Sequence, residues 1–140
     1  MAKADICARE WLQNQRNCYA YFDHPLTWHE AEIECQSYGH GVHLASVLMV
    51  AETLLVSEHI SAYQKDLSNA WIGLHDVCQV SISWRWADES TYSYKAWMRN
   101  QPDNYGKSEY YVELRYSTDF KEWNDAPCNK SNTYICKHEL

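Results

Sequence analysis

Several motifs that mark common enzyme families are missing from this sequence of 140 residues. It has only four glycines and no glycine-rich phosphate loop, and it contains no G-x-S-x-G motif. His29-Glu30 is followed by Ile33, at the position where a zinc-protease motif requires a second histidine. These absences indicate that the chain is not an enzyme.

Membrane segments and basic clusters are absent as well. No apolar run approaches the roughly 18–20 residues that a membrane helix needs, and the opening Met-Ala-Lys-Ala-Asp lacks the apolar segment of a signal peptide. We therefore expect no membrane insertion and interpret Met1 as the start of a mature or recombinant form. The net charge is −7 without any run of Lys or Arg, which argues against nucleic acid as a partner. An acidic surplus instead suits a cation site.

The composition indicates a small extracellular domain. Hydrophobic residues make up 46% of the chain and aromatic residues 14%, which excludes disorder and supplies one core. The chain contains no linker and no internal repeat, so we predict a single domain over residues 1–140. Six cysteines in a chain of this size indicate an oxidising compartment and a secreted protein. The absence of C-x-x-C argues against a zinc ribbon.

Two segments are predicted to be helices. Thr27 and Glu30 form a capping box, so a helix should begin there, run to about Tyr38 and stop at Gly39. A second helix is predicted from about Met49 to Lys65. The apolar residues behind these predictions are Trp28, Ala31, Ile33 and Cys35, expected in the core, and Val56, Ile60 and Tyr63, which recur at helical spacing.

The rest of the chain has the composition of short strands. Residues 7–22 are predicted to form an opening hairpin with Asn14 in its turn. Residues 87–110 form a long connection, and a loop longer than about 12–15 residues in a compact domain is usually functional. The later strands are predicted at Trp71–Leu74, Ser83–Trp86, Tyr111–Leu114 and Thr133–Cys136.

Two short clusters in the last third of the chain contain the side-chain types that bind calcium. The first contains Gln101, Asp103 and Glu109, and the second contains Asn124 and Asp125. Ca²⁺ takes about 6–8 oxygen ligands from carboxylates, amides, backbone carbonyls and water. Five such side chains and one backbone carbonyl would nearly complete that set and leave open positions for a ligand. The sequence therefore predicts one Ca²⁺ site made of amides and carboxylates.

Pro102 lies between two of the predicted ligands. An X-Pro peptide bond is the one kind that adopts the cis form at low cost, and a cis turn would direct Gln101 and Asp103 toward the same ion. Pro, Asp and Asn are also the usual residues of plain turns, so a simple turn at Gln101–Asn104 is the alternative interpretation.

Motifs spread over essentially the whole chain occur together in one known family. They are Cys7 and Cys18, the helix ending in Cys35, His43-Leu-Ala-Ser46, Trp71-Ile-Gly-Leu74, Gln101-Pro-Asp103, Trp123-Asn-Asp125, Cys128 and Cys136. Together they resemble the C-type lectin-like domain family, and the combination of Gln-Pro-Asp, Glu109 and Trp-Asn-Asp is similar to its galactose-type subgroup. The chain as a whole resembles snake-venom galactose lectins and regenerating-protein lectins. The resemblance implies an α+β fold in which two helices flank small antiparallel sheets, with a long calcium-binding loop. It also implies sugar bound directly on the ion.

Sugar recognition at such a site depends on hydrogen-bond polarity. Two vicinal hydroxyls would take the open calcium positions, while carboxylates accept hydrogen bonds from them and amide NH₂ groups donate to them. Gln101 before Asp103 reverses the order that the family uses for mannose-type sugars, so the resemblance implies galactose-terminated glycans or glycoproteins as partners. Tyr105 stands where galactose-binding members place a ring against the sugar, with an ordinary surface tyrosine as the alternative. The implied sugar contacts are Gln101, Asp103, Tyr105, Glu109 and Asn124, whereas Trp123 is expected in the core.

The cysteines depart from the family pattern. The resemblance implies the disulfides Cys7–Cys18 and Cys35–Cys136. Tyr110-Tyr111 occupy the place of the usual partner of Cys128, and Cys78 is additional, so these two thiols are unassigned. An intrachain bridge, an interchain bridge in a homo-oligomer and two free thiols all remain open.

Two other functions also remain open. A protein-binding relative, like the venom heterodimers that join through a cysteine near position 78, is one alternative, although those forms have usually lost the sugar ligands kept here. A calcium-dependent ice-binding relative resembling fish type II antifreeze is the other. Ice contact favours small, regular groups such as threonine beside the ion, where this chain has Tyr105, Lys107 and Ser108.

Overall fold

The computed structural model describes residues 6–77, 82–102 and 109–140, with Glu109 described by its backbone only. Within these ranges the chain forms two α-helices, α1 (Trp28–Gln36) and α2 (Val50–Tyr63), and eight strands. The strands are β1 (Leu12–Asn14), β2 (Asn17–Leu26), β3 (His43–Leu44), β4 (Ala70–Asp76), β5 (Trp84–Trp86), β6 (Glu109–Leu114), β7 (Trp123–Pro127) and β8 (Asn132–Glu139).

The described strands belong to one sheet with the order β1-β2-β8-β4-β6-β7. β3 pairs with β8 and β5 pairs with β4 outside that path. β1 and β2 form the predicted opening hairpin. The predicted α+β class with two flanking helices is confirmed, and the pairing of β4 with β8 is parallel in an otherwise antiparallel sheet.

α1 begins at the predicted capping box. The hydroxyl of Thr27 accepts a hydrogen bond from the backbone N–H of Glu30, and the Glu30 carboxylate accepts one from the backbone N–H of Thr27 at 3.0 Å. The helix ends at Gln36 rather than at Tyr38. The local hydrogen bonds of the cap therefore determine the start of the helix, while its end is less well predicted.

The buried face of α1 differs from the prediction at one position. Ile33 is 68% exposed, so its assignment to the core is wrong, while Trp28, Ala31 and Cys35 are buried. A step of two residues turns about 200° around a helix with about 3.6 residues per turn. Because Ala31 and Cys35 both face the core, Ile33 between them points to solvent.

α2 lies within the predicted segment and buries Val56 and Ile60. Tyr63, the third residue of that series, is 65% exposed because it lies in the last turn of the helix. Near the start of α2, the buried carboxylate of Glu52 accepts a hydrogen bond from the ammonium group of Lys137 on β8. Neither helix, nor any other in the described ranges, is long and apolar enough to cross a membrane.

Two hydrophobic clusters cover the two faces of the sheet. Ile72 and Leu74 of β4 pack in the cluster that contains Ile60 of α2, and Trp71 packs in the cluster that contains Trp28 of α1. Successive side chains of a strand point to opposite faces. The central strand is therefore apolar on both faces because each face is covered by a helix.

Two disulfides connect the cysteines that the resemblance pairs. Cys7–Cys18 links the segment before β1 to β2, and Cys35–Cys136 links the end of α1 to β8. Cys128 is exposed and forms no disulfide with any cysteine of the described part of the chain. Cys78, the other unassigned thiol, lies outside the described residues.

Candidate functional site

The second predicted ligand cluster lies on a strand that the sequence pattern did not predict. β7 pairs antiparallel with β6, with Asn124 opposite Glu113 and Asp125 opposite Val112. The Trp-Asn-Asp-Ala-Pro sequence of β7 contains residues that are typical of turns. Pairing with β6, rather than local composition, gives this segment its extended conformation.

Trp123 is fully buried in the core, as expected. Its ring makes edge contacts with Trp86 and Trp97, at centroid separations of 5.6 and 5.4 Å. Its backbone N–H donates to the carbonyl of Ala96 at 2.8 Å, and its carbonyl accepts from the N–H of Met98 at 2.9 Å. The long connection is therefore hydrogen-bonded to β7 immediately before the Asn-Asp pair.

The same connection carries the first predicted cluster. The backbone N–H of Gln101 donates to the carbonyl of Met98 at 2.9 Å. The Gln101–Pro102 peptide bond is cis, as the sequence suggested. Because the backbone of Met98 is hydrogen-bonded to both Trp123 and Gln101, the start of the first cluster lies near β7.

The described part of the predicted ligand set consists of Gln101, Asn124 and Asp125. Asp125 is fully buried, and the other two are half-buried. Among the described residues, no three His, Cys, Asp or Glu side chains are grouped closely enough to hold a metal ion. Amide and carboxylate oxygens are the donors that Ca²⁺ takes, so the chemistry of the set fits calcium. The predicted site residues outside the described part are Asp103, Tyr105 and the side chain of Glu109.

Sequence reasoning missed a buried carboxylate beside Asn124. Glu113 of β6 is 0% exposed, and its Oε2 accepts a hydrogen bond from Nδ2 of Asn124 at 2.9 Å. Nζ of Lys130 at 2.6 Å and Nδ2 of Asn132 at 2.9 Å donate to Oε1, and Nη1 of Arg115 donates to Oε2 at 3.2 Å. The sequence feature that could have indicated this buried carboxylate is an acidic residue inside the otherwise apolar Tyr-Val-Glu-Leu strand.

These donors keep Glu113 ionised. Burial by itself raises the pKa of a carboxyl group, but hydrogen bonds from Lys130, Asn124 and Asn132, with the charge of Lys130, outweigh it. The pKa of Glu113 therefore lies below its ordinary value. Asn124 thus borders a fixed negative charge.

Tyr111 belongs to the Tyr110-Tyr111 pair, at the place where the resemblance implies the usual partner of Cys128. Its hydroxyl lies 2.6 Å from Nε2 of His29, and its ring centroid lies 5.0 Å from that of Trp28. These contacts attach β6 to α1. A disulfide at the same position would attach β6 to the turn after β7, so here the β6–β7 pair relies on its ladder and on the donors around Glu113.

Comparison with known proteins identifies the family to which this fold belongs. The family model described as "Lectin C-type domain" matches residues 24–138, which include both helices and both predicted ligand clusters. The chain belongs to the C-type lectin family.

Similar proteins include venom lectins and regenerating proteins, as the motifs predicted. "C-type lectin TsL" of Trimeresurus stejnegeri is 41% identical over 136 residues, which cover 97% of this chain and 85% of the relative. "Regenerating islet-derived protein 4" of Homo sapiens is 39% identical over 132 residues, which cover 94% of this chain and 80% of the relative. The solved structure of human lithostathine aligns with a TM-score of 0.88 at 33% identity, covering 96% of this chain and 100% of that one.

Proposed function

We propose that this chain is a calcium-dependent lectin that binds terminal galactose-type glycans, with sugar hydroxyls coordinating the calcium directly. Membership of the C-type lectin family supports sugar binding as the class of function. A relative at 41% identity is itself named a C-type lectin. The preference for galactose rests on the order of Gln101 and Asp103 in the sequence.

The observation that carries the proposal is the hydrogen bonding of Trp123 to the long connection. The backbone of Trp123 is hydrogen-bonded to Ala96 and to Met98, and the backbone of Met98 is hydrogen-bonded to Gln101. The segment that contains Gln101 and the strand that carries Asn124 are thereby joined at one buried residue. Two ligand clusters that are separated in sequence need such a junction to serve one ion.

The proposed ligands hold the ion through oxygen atoms. Calcium, when bound, supplies a positive charge that attracts hydroxyl oxygens of the sugar. The amide NH₂ groups donate to those hydroxyls, the carboxylates accept from them, and an aromatic ring packs on the apolar face of the sugar. The proposed metal ligands are Gln101, Asp103, Glu109, Asn124 and Asp125, and the proposed ring is that of Tyr105.

The same proposal implies an extracellular protein with several sites acting together. Two disulfides suit an oxidising compartment. A single site that contacts few sugar atoms binds weakly, and linked sites raise avidity by about 10²–10⁴. We therefore infer a homo-oligomer in which Cys78 or the exposed Cys128 is a candidate interchain contact. A dimer band on a non-reducing gel that Cys78→Ser or Cys128→Ser removes would support this contact, and a monomer band alone would exclude it.

A glycan array read in calcium and in EDTA tests the proposal. We expect binding to ligands that end in galactose, lactose or N-acetylgalactosamine when calcium is present, and loss of that binding in EDTA. Mannose-terminated ligands should bind much less. Binding that persists in EDTA, or that is strongest on mannose, would contradict the proposed function.

A further inference from the structure

We propose that Glu113 is a positioning residue that sets the orientation of the Asn124 amide, so that Oδ1 of Asn124 faces the candidate calcium site. The inference rests on the proposed function, because Asn124 is a metal ligand only under that proposal. Glu113 itself would not touch the metal. Its geometric basis is the 2.9 Å hydrogen bond from Nδ2 of Asn124 to Oε2 of Glu113.

A carboxylate determines the direction of an amide beside it. An ionised carboxylate has acceptors only, whereas an asparagine amide has a donor end and an acceptor end. Turning the Asn124 amide over would place its oxygen against the oxygen of Glu113 and lose the hydrogen bond. Glu113 and Asn124 are directly opposite in the β6–β7 register, so the two side chains meet on the same face of the sheet.

Glu113 cannot turn away to release Asn124, because both of its oxygens are already engaged. Oε1 accepts hydrogen bonds from Lys130 and Asn132, and Oε2 accepts from Arg115 as well as from Asn124. The carboxylate has no exposed surface, so water does not replace any of these donors. The donors come from Arg115 directly after β6, from β7, from β8 and from the turn between β7 and β8, so the arrangement depends on the assembled sheet.

The orientation leaves two groups of Asn124 for function. Oδ1 is directed away from Glu113 and can ligate the ion, and the second hydrogen on Nδ2 can donate to a sugar hydroxyl. Removing the partners that orient metal ligands typically lowers metal affinity by about 10–100-fold. A loss of calcium affinity of this size in a Glu113 variant, without a similar loss in a control variant, would distinguish a positioning role from a purely structural one.

Glu113→Gln tests the inference because it reverses the polarity that Asn124 meets while keeping the shape of the side chain. Lys130 and Asn132 donate to Oε1 at 2.6 and 2.9 Å, whereas the charged donor at Oε2, Arg115, is farther away at 3.2 Å, so the glutamine oxygen should occupy the Oε1 position and its NH₂ should face Asn124. Asn124 must then present its oxygen to Gln, which removes that oxygen from the metal. We expect calcium affinity, measured by titration calorimetry, to fall about tenfold or more.

The matched control is Glu52→Gln, at a second buried glutamate that pairs with a lysine. Glu52 bonds Lys137 near the opposite end of β8 from Asn132. Both variants should lower the melting temperature of the calcium-free protein, but only Glu113→Gln should weaken calcium binding. Equal calcium affinity in wild type and Glu113→Gln, or equal weakening in both variants, would overturn the positioning role.

A measurement on the wild-type protein covers the case in which Glu113→Gln does not fold. In a ¹⁵N NMR spectrum of the calcium-free protein, one of the two Asn124 side-chain protons should be protected from solvent exchange by Glu113. Exchange of both protons at the rate of a free asparagine would overturn the orientation. If wild type binds no calcium, the proposed function fails together with this role, whereas calcium binding that Glu113→Gln leaves unchanged overturns the role alone.

Discussion

Single side chains determine the chemistry of the candidate site by the atom that each presents to a ligand. An amide can offer an oxygen to a metal and an NH₂ to a hydroxyl, whereas a carboxylate offers acceptors only. Inside the protein, the Glu113 carboxylate accepts a hydrogen bond from the NH₂ of Asn124. At the proposed sugar site, the Gln101 amide should donate to one hydroxyl and the Asp103 carboxylate should accept from the other. The choice between galactose and mannose should therefore depend on the types of these residues rather than on net charge.

Exchanging Gln101→Glu together with Asp103→Asn should shift the preference from galactose to mannose. The exchange reverses the order of donor and acceptor and leaves the net charge unchanged. We expect galactose affinity to fall about tenfold and mannose affinity to rise by a similar factor, since tenfold is about 1.4 kcal/mol, on the order of one hydrogen bond. Titration calorimetry with both sugars measures the change.

The matched control for this exchange is Gln15→Glu together with Asp66→Asn, at two exposed positions. It makes the same chemical change away from both predicted ligand clusters and should leave sugar preference unaltered. A Gln101→Glu, Asp103→Asn protein that still prefers galactose would show that the order of these residues does not set selectivity.

Among the secondary-structure elements, the helices could be predicted best. The hydrogen bonds that begin α1 are made by Thr27 and Glu30 alone, so the sequence contains all the information needed to locate this start. Ile33 and Tyr63 show where local information ends, because both are apolar and both are exposed. The side of a helix that faces the core depends on what packs against it.

β7 and Glu113 could not be predicted from local pattern. β7 contains Asn, Asp and Pro and becomes a strand because β6 pairs with it. Glu113 is buried in the charged form because Lys130, Asn132 and Asn124 approach it from three other parts of the fold. For the candidate site, the ligand types and their two clusters stay a prediction from the sequence, whereas the contact between Glu113 and Asn124 is visible only in the tertiary structure.

Removing the cap of α1 should destabilise the protein by a measurable amount. Thr27→Ala deletes the hydroxyl that accepts from the Glu30 N–H, and the loss of such a cap costs about 1 kcal/mol. Urea unfolding in EDTA measures the free energy of unfolding without a contribution from calcium. Thr91→Ala, at an exposed position outside the helices and strands, is the control and should change that energy little. Equal effects of the two substitutions would argue against the cap.

The stability of the whole molecule should decrease as the solution is acidified. Burial lowers the pKa of His75 and of His59 below their ordinary value of 6.5. In the unfolded chain these two histidines take up protons near pH 6.5, whereas in the folded chain they take them up only at lower pH. The contribution of the two histidines to stability is therefore complete above pH 6.5 and is lost as the pH falls toward the folded pKa values. Below about pH 4.5, the lowered pKa of Glu113 adds a further loss.

Urea unfolding over this pH range, again in EDTA, checks the expected decrease. The double variant His59→Gln, His75→Gln should flatten the change just below pH 6.5 and leave the more acidic loss in place. His40→Gln, at an exposed histidine, should leave the whole profile unchanged. A double variant with the wild-type profile would show that these two histidines are not responsible.

Calcium should stabilise the whole fold. The carboxylates of Asp103, Glu109 and Asp125 would repel one another without a cation, because like charges at short distance raise the free energy of the folded state. Ligand linkage gives about 2.7 kcal/mol at about a hundredfold excess of calcium over its Kd. The melting temperature should rise in calcium and return in EDTA, with magnesium as the control ion. Equal melting temperatures in calcium and EDTA would contradict the proposed site.

The most direct test of the central claim is a titration of the wild-type protein with N-acetylgalactosamine, in calcium and in EDTA. Calorimetry should give a Kd of about millimolar in calcium, since a single sugar contacts few atoms. The heat of binding should disappear in EDTA, and mannose in calcium should bind much more weakly. Binding that is unchanged in EDTA, or mannose binding tighter than that of N-acetylgalactosamine, would contradict a calcium-dependent galactose-type lectin.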